Sequence, residues 1–147
     1  MDGKLFRKII LKETKPTIMT TKTTNILYWV FTIIFAGLMI FSAIGSVTGD
    51  PLAVQLIHDT LEYPKYFIPF NGWTKIIGSI VILIPGLKTI KEWAYAGLFF
   101  DLGAAVYSFI MAPKMPYNPG MISTGAWILF GILSYIFWKK KLKTGGK

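Results

Sequence analysis

The sequence predicts an all-α integral membrane protein: a four-helix bundle that crosses the bilayer four times, with the N- and C-termini cytoplasmic. Three observations carry this reading. Apolar residues make up 53% of the 147 positions and the mean hydropathy is +0.52, more than a soluble core of this size needs. Four apolar runs have the length required to cover about 30 Å of hydrocarbon at about 1.5 Å per helical residue. The net charge of +9 is gathered into short clusters at the edges of those runs. This is an orientation signal rather than a nucleic-acid footprint, so the bilayer is the expected partner and nucleic acid is not.

The runs are Ile26–Val47, Tyr66–Leu87, Trp93–Met111 and Ile122–Trp138. They divide the chain into a basic cytoplasmic arm (1–24), a membrane domain (25–138) and a basic cytoplasmic tail (139–147). Residues 1–18 form an amphipathic, Lys-rich lead that is optional, because Met19 opens a second plausible start, Met-Thr-Thr-Lys-Thr-Thr. The first run is a retained span, not a cleaved signal, since a long basic stretch precedes it and no small-x-small site follows it. The second and third runs are joined by the tight turn Pro85–Lys91, which makes them antiparallel neighbours.

Basic residues fix the orientation. The arm holds Lys4, Arg7, Lys8, Lys12, Lys15 and Lys22, the middle turn Lys88 and Lys91, and the tail Lys139, Lys140, Lys141, Lys143 and Lys147, whereas the other two loops carry only Lys65 and Lys114. Both ends and the middle turn are therefore inside, a multi-pass arrangement that in a prokaryote belongs to the inner membrane. Tyr28, Trp29, Trp93, Tyr95 and Trp138 fall at the inner interface and Tyr63, Tyr66 and Tyr117 at the outer one, as an aromatic belt does. In the first outer loop, Asp50 and Pro51 suit the start of a short surface helix reaching Leu61. His58, Asp59 and Glu62 on or beside it read as a solvated face, or as a weak surface contact, without the spacing of a metal site. The absence of cysteine excludes thiolate chemistry and disulfides, and the single histidine excludes a bis-histidine haem.

The informative residues are Lys75 and Asp101. Counted outward from the middle turn they reach similar depths on antiparallel helices, roughly 15–20 Å from the inner face. A charge there costs at least about 2.5–3.5 kcal/mol, so the two are expected to pair. Small residues surround both: Gly97, Ala104, Ala105 and Ser108 near Asp101, and Asn71, Gly72, Gly78 and Ser79 near Lys75. Thr32, Ala36 and Ala43 on the first run, with Thr124, Gly131 and Ser134 on the fourth, would complete a narrow polar interior. Two readings stand: a buried latch that sets helix register, or the polar floor of a ligand pocket walled by Asn71, Trp73, Tyr107 and Ser108. Glu92 is interfacial on either reading.

The runs Trp73-Thr74-Lys75-Ile76-Ile77-Gly78, Pro85-Gly86 and Lys91-Glu92-Trp93-Ala94-Tyr95-Ala96-Gly97, followed by Phe100-Asp101, resemble the DoxX-like family of small four-helix membrane proteins. Glu62-Tyr63-Pro64 and Met39-Ile40-Phe41-Ser42-Ala43 are also similar, and the resemblance covers about residues 20–140. Family members often carry a histidine after the Tyr-Ser of the third span. Here the residues are Tyr107-Ser108-Phe109, which removes a proton carrier or metal ligand. The resemblance implies relatives that include a subunit of a thiosulfate:quinone oxidoreductase and membrane accessory or assembly proteins. The function expected is therefore accessory binding of a lipophilic molecule, or of a membrane partner or second copy, at the Lys75–Asp101 site. The alternative is a quinone-associated oxidoreductase component. No haem, flavin or thiol motif is evident, so quinone is the one cofactor left open and any redox centre would come from a partner. A small-solute transporter ranks lower, because no internal repeat is visible.

Overall fold

The computed structural model describes residues 2–5, 7, 19–112 and 119–144. The bulk of the lead (8–18), Lys114, Tyr117 and residues 145–147, all used above, lie outside them. Among the described residues there is no strand. The first long helix, α1 (Thr21–Thr48), opens where the Thr20 hydroxyl accepts from the Thr23 N–H at 3.3 Å. It ends at Gly49, which adopts φ 70° and ψ 34°, a left-handed stop that glycine takes without a Cβ clash.

The outer-loop helix begins as expected. Asp50 Oδ1 accepts from the N–H groups of Leu52 and Ala53 at 2.8 and 3.4 Å, and Pro51 occupies the first helical position of α2 (Pro51–Val54). A π-helical stretch, Gln55–Thr60, follows directly. His58 Nδ1 lies 2.7 Å from the Tyr63 carbonyl, a bond that closes the loop on itself. Among the described residues no group of three His, Cys, Asp or Glu side chains is placed to hold a metal ion.

Helix α3 (Phe67–Leu83) is shorter than the apolar run that encodes it. It stops at Ile84, whose backbone is extended because the following Pro85 disfavours the helical region for the residue before it. Gly86, at φ 90°, then turns the chain into α4 (Lys88–Met111). Helix α5 (Pro119–Thr144) runs past Trp138 through the lysines expected as a separate tail. Lysine is a good helix former, and cations favour the carbonyl end of the helix dipole, so nothing local stops the helix at residue 138.

Three helices, α1, α4 and Met121–Thr144 of α5, are long and apolar enough to cross a membrane, and α3 is a shorter apolar helix. Helix α1 lies against α3 and α5, and α4 contacts the same two, closing a ring. Large apolar side chains such as Phe41, Ile77, Phe100 and Ile122 face outward, while Thr32, Ala36, Ala43, Ser79 and Ser134 are buried. That inversion suits a lipid exterior, where helix association depends on close approach and polar contacts rather than on expulsion of water. Close approach is visible at Gly72, where a Cβ would stand 2.6 Å from Val47 Cγ2 and 3.1 Å from the Ala43 carbonyl oxygen.

Three residues expected in the inner aromatic belt are core residues instead. Tyr28 and Tyr95 are each 1% exposed and Trp138 is 4% exposed. Tyr95 stacks on Phe35 and Trp138, with ring centroids 6.4 and 5.6 Å apart. Its hydroxyl meets Ser134 Oγ at 2.6 Å, and Ser134 meets Thr32 Oγ1 at 2.7 Å. Both phenol hydroxyls thus have partners inside the bundle, that of Tyr28 being Lys91 Nζ at 2.7 Å, which removes their need for a wet interface. Trp93, 78% exposed, is on the outside as a belt residue is.

Candidate functional site

Lys75 on α3 and Asp101 on α4 meet as expected from their depths: Nζ lies 3.4 Å from Oδ2, with the side chains 15% and 18% exposed. The pair stands between two cavities. The larger, about 390 Å³, extends from Lys75 and Asp101 toward the outer loop, bounded by Asn71, Ser108, Tyr63 and Trp127 among others. A second, about 330 Å³, is a groove between α3 and α4 that passes Gly78, Gly97 and Trp93. Gly97 gives this groove its depth, since a Cβ there would meet nothing within 4 Å.

The polar groups of the larger cavity are only partly matched. Asn71 Oδ1 and Asp101 Oδ2 are buried without a hydrogen-bond partner, so the Lys75–Asp101 contact is ionic rather than an aligned hydrogen bond. Asp101 Oδ2 is answered by the Lys75 charge, whereas a buried acceptor left like Asn71 Oδ1 is uncommon and calls for a donor. At the outer end, the Tyr63 hydroxyl reaches Ser108 Oγ at 2.8 Å, and Ser108 donates to the Ala104 carbonyl at 2.7 Å. Glu62 supports this closure with φ 62°, the single positive φ of a non-glycine among the described residues.

Of the expected site residues, Lys75, Asp101, Asn71 and Ser108 line the larger cavity. Trp73 and Tyr107 do not. They are 54% and 64% exposed, because each is one residue, about 100° of helix rotation, from the inward-facing Gly72 and Ser108. Sequence reading missed the contribution of Met39, Ser42 and Ser46, which also line the cavity. Their three- and four-residue spacing on one face of α1 was the available signal. Glu92 lies at the other end of the bundle, where it is ion-paired with Lys139, more than two helical turns along α4 from Asp101.

The model of the DoxX-like family matches residues 30–135, most of the chain and every residue that forms the Lys75–Asp101 pair and its cavity walls. The chain belongs to the DoxX-like family. Neither a curated protein nor a solved structure matches it. For this DoxX-like membrane protein the chemistry must therefore be argued from the cavity.

Proposed function

We propose that this DoxX-like protein crosses the bilayer four times, with both termini cytoplasmic, and that the cavity above Lys75 and Asp101 holds a lipophilic small molecule in an accessory, non-catalytic role. One observation carries the reading: the Lys75–Asp101 ion pair and an unmatched acceptor, Asn71 Oδ1, sit at the floor of a largely apolar space of about 390 Å³. That volume is at the small end of the range for ligand sites. A partner helix fits poorly, because a helix about 10 Å across fills roughly this volume with a single turn. The occupant expected is a compact lipophile bearing a hydroxyl or N–H, whose donor answers Asn71 Oδ1 beside the ion pair while its apolar body lies against Trp127 and Phe67. The groove past Gly97 and Gly78 gives such a molecule a lateral way in from the lipid.

A second reading is a quinone-associated oxidoreductase component. The juxtaposition of Lys75, a donor for a quinone oxygen, with Asp101, a proton acceptor, favours it. Any redox centre then belongs to a partner.

The test is mass spectrometry of lipophiles retained after gentle extraction of the native chain and of the double variant Lys75→Met/Asp101→Leu. A reproducible non-bulk lipophile, lost from a double variant that still folds, is expected. A quinone in that position supports the second reading. A folded double variant that retains the same molecule refutes both and leaves the pair as a register latch.

A further inference from the structure

At the opposite end of the bundle, lysines converge on one tyrosine without an acid among them. Lys91 of α4 is 2% exposed, and its Nζ donates to the Tyr28 hydroxyl at 2.7 Å. The Tyr28 hydroxyl donates onward to the Ile82 carbonyl at 3.4 Å. Lys141 of α5 stands over the same Tyr28 ring, 4.7 Å from its centroid, and over Trp29 at 5.4 Å. Lys88, Lys91 and Lys141 together line a cavity of about 120 Å³ beside the Pro85-Gly86 turn. Among the described residues no carboxylate answers them, because Glu92 is engaged by Lys139. Helix α4 also starts here, so the positive end of its dipole adds to the potential.

A buried ammonium that has a phenol and an aromatic face, but no counter-ion, is costly, and cation–π contact offsets only part of that cost. One anion in the shared cavity answers all three lysines at once. The space is well above the roughly 10–15 Å³ that admits one water, so a phosphate group with hydration fits. Phosphate oxygens suit lysine, which acts on them as a mobile point charge. The neighbouring exposed Trp93 marks headgroup depth.

We propose that this cavity binds the phosphate of an anionic phospholipid from the leaflet at the basic end of the bundle. The inference rests on the membrane-spanning reading but not on what occupies the Lys75–Asp101 cavity, from which it is separate.

The test uses the full chain in lipid discs of phosphatidylcholine, with or without phosphatidylglycerol, with thermal unfolding and native mass spectrometry of bound lipid as readouts. Both lipids carry phosphate, but choline is repelled by the lysines. Retention of phosphatidylglycerol over phosphatidylcholine is expected. Lys88→Gln and Lys141→Gln should each weaken that retention about fivefold. Lys143→Gln, an exposed change on α5 outside the cavity lining, should alter it less than twofold. Lys91→Met should erase the stabilisation that phosphatidylglycerol gives, without lowering the midpoint in phosphatidylcholine. If Lys91→Met fails to fold, the two glutamine variants decide. Equal retention of both lipids, or equal loss in Lys143→Gln and Lys141→Gln, overturns the proposal. So does inorganic phosphate alone, in lipid-free detergent, matching the stabilisation by phosphatidylglycerol, since the source is then a soluble anion.

Discussion

Replacing Asp101 with Asn keeps the side chain's shape and removes its charge, so it isolates what the ion pair does for the bundle. At the observed 3.4 Å separation, Coulomb attraction at an effective dielectric of about 20 is roughly 5 kcal/mol. Most of that is offset in the native protein by the desolvation of both groups, whose side chains are less than a fifth exposed. Removing one charge leaves the other desolvated with nothing to offset it. A loss of about 3–5 kcal/mol is therefore expected for Asp101→Asn, and a similar loss for Lys75→Met. The double variant Lys75→Met/Asp101→Leu should recover nearly all of it. The assay is reversible unfolding in mixed micelles, with the coupling energy taken from the closed cycle of Lys75→Met, Asp101→Leu and their double variant. A coupling under about 0.5 kcal/mol, with the two single changes simply adding, would show that the residues act independently and that depth matching brought them close without energetic consequence.

Two glycines separate packing from propensity. Gly72→Ala should destabilise by about 1–3 kcal/mol in the same assay, because the new methyl meets Val47 Cγ2 at 2.6 Å and backbone at Ala43; Gly97→Ala has open space and should be neutral or stabilising by up to about 1 kcal/mol. Tyr63→Phe removes the 2.8 Å contact to Ser108, with an expected cost of about 0.5–1.5 kcal/mol and faster amide exchange confined to the outer loop; unchanged exchange there would mean that the loop is held by the His58–Tyr63 bond instead. Reporter fusions at residues 60 and 143 should report opposite sides of the membrane, and a common side for both removes the four-span topology.

Depth was legible in the sequence and azimuth was not. Lys75 and Asp101 could be paired by counting residues from a tight turn, since helical rise is uniform and the turn forces antiparallel neighbours. Which way a side chain points depends on helical phase, and there proximity in sequence misled. Trp73 and Tyr107 stand next to packing residues and face outward. The same effect hid Lys91, read as a turn charge that fixes orientation. Lys91, Tyr95, Leu98 and Leu102 are the four buried residues of α4, and their spacing is that of one helix face. The pattern therefore contained the answer, but a lysine five residues past the glycine of a Pro-Gly turn carries a strong expectation of solvent. The cavity was less legible still, because its walls come from α1, the outer loop, α3, α4 and α5 together, and no local signal reports a space between five segments.

Lys75, partly buried, and Lys91, buried, differ in one respect that bears on both functional readings. Lys75 has Asp101 within 3.4 Å, whereas Lys91 has a phenol and a second lysine nearby. A neutral pair can be exchanged for apolar side chains with little change in stability, so its retention is informative only through ligand binding. An unbalanced lysine is different, because its charge is a standing cost that a bound anion lowers. Stability of the Lys75–Asp101 region should thus be insensitive to the headgroup charge of the surrounding lipid, and stability of the Lys91 end should depend on it. Amide exchange resolved along α4 can compare the two in one experiment. The segment near Lys91 should gain protection in phosphatidylglycerol relative to phosphatidylcholine, while the segment near Asp101 should not. Equal gains along the whole helix would mean that lipid charge acts on the bundle as a unit and that the basic end holds no discrete site.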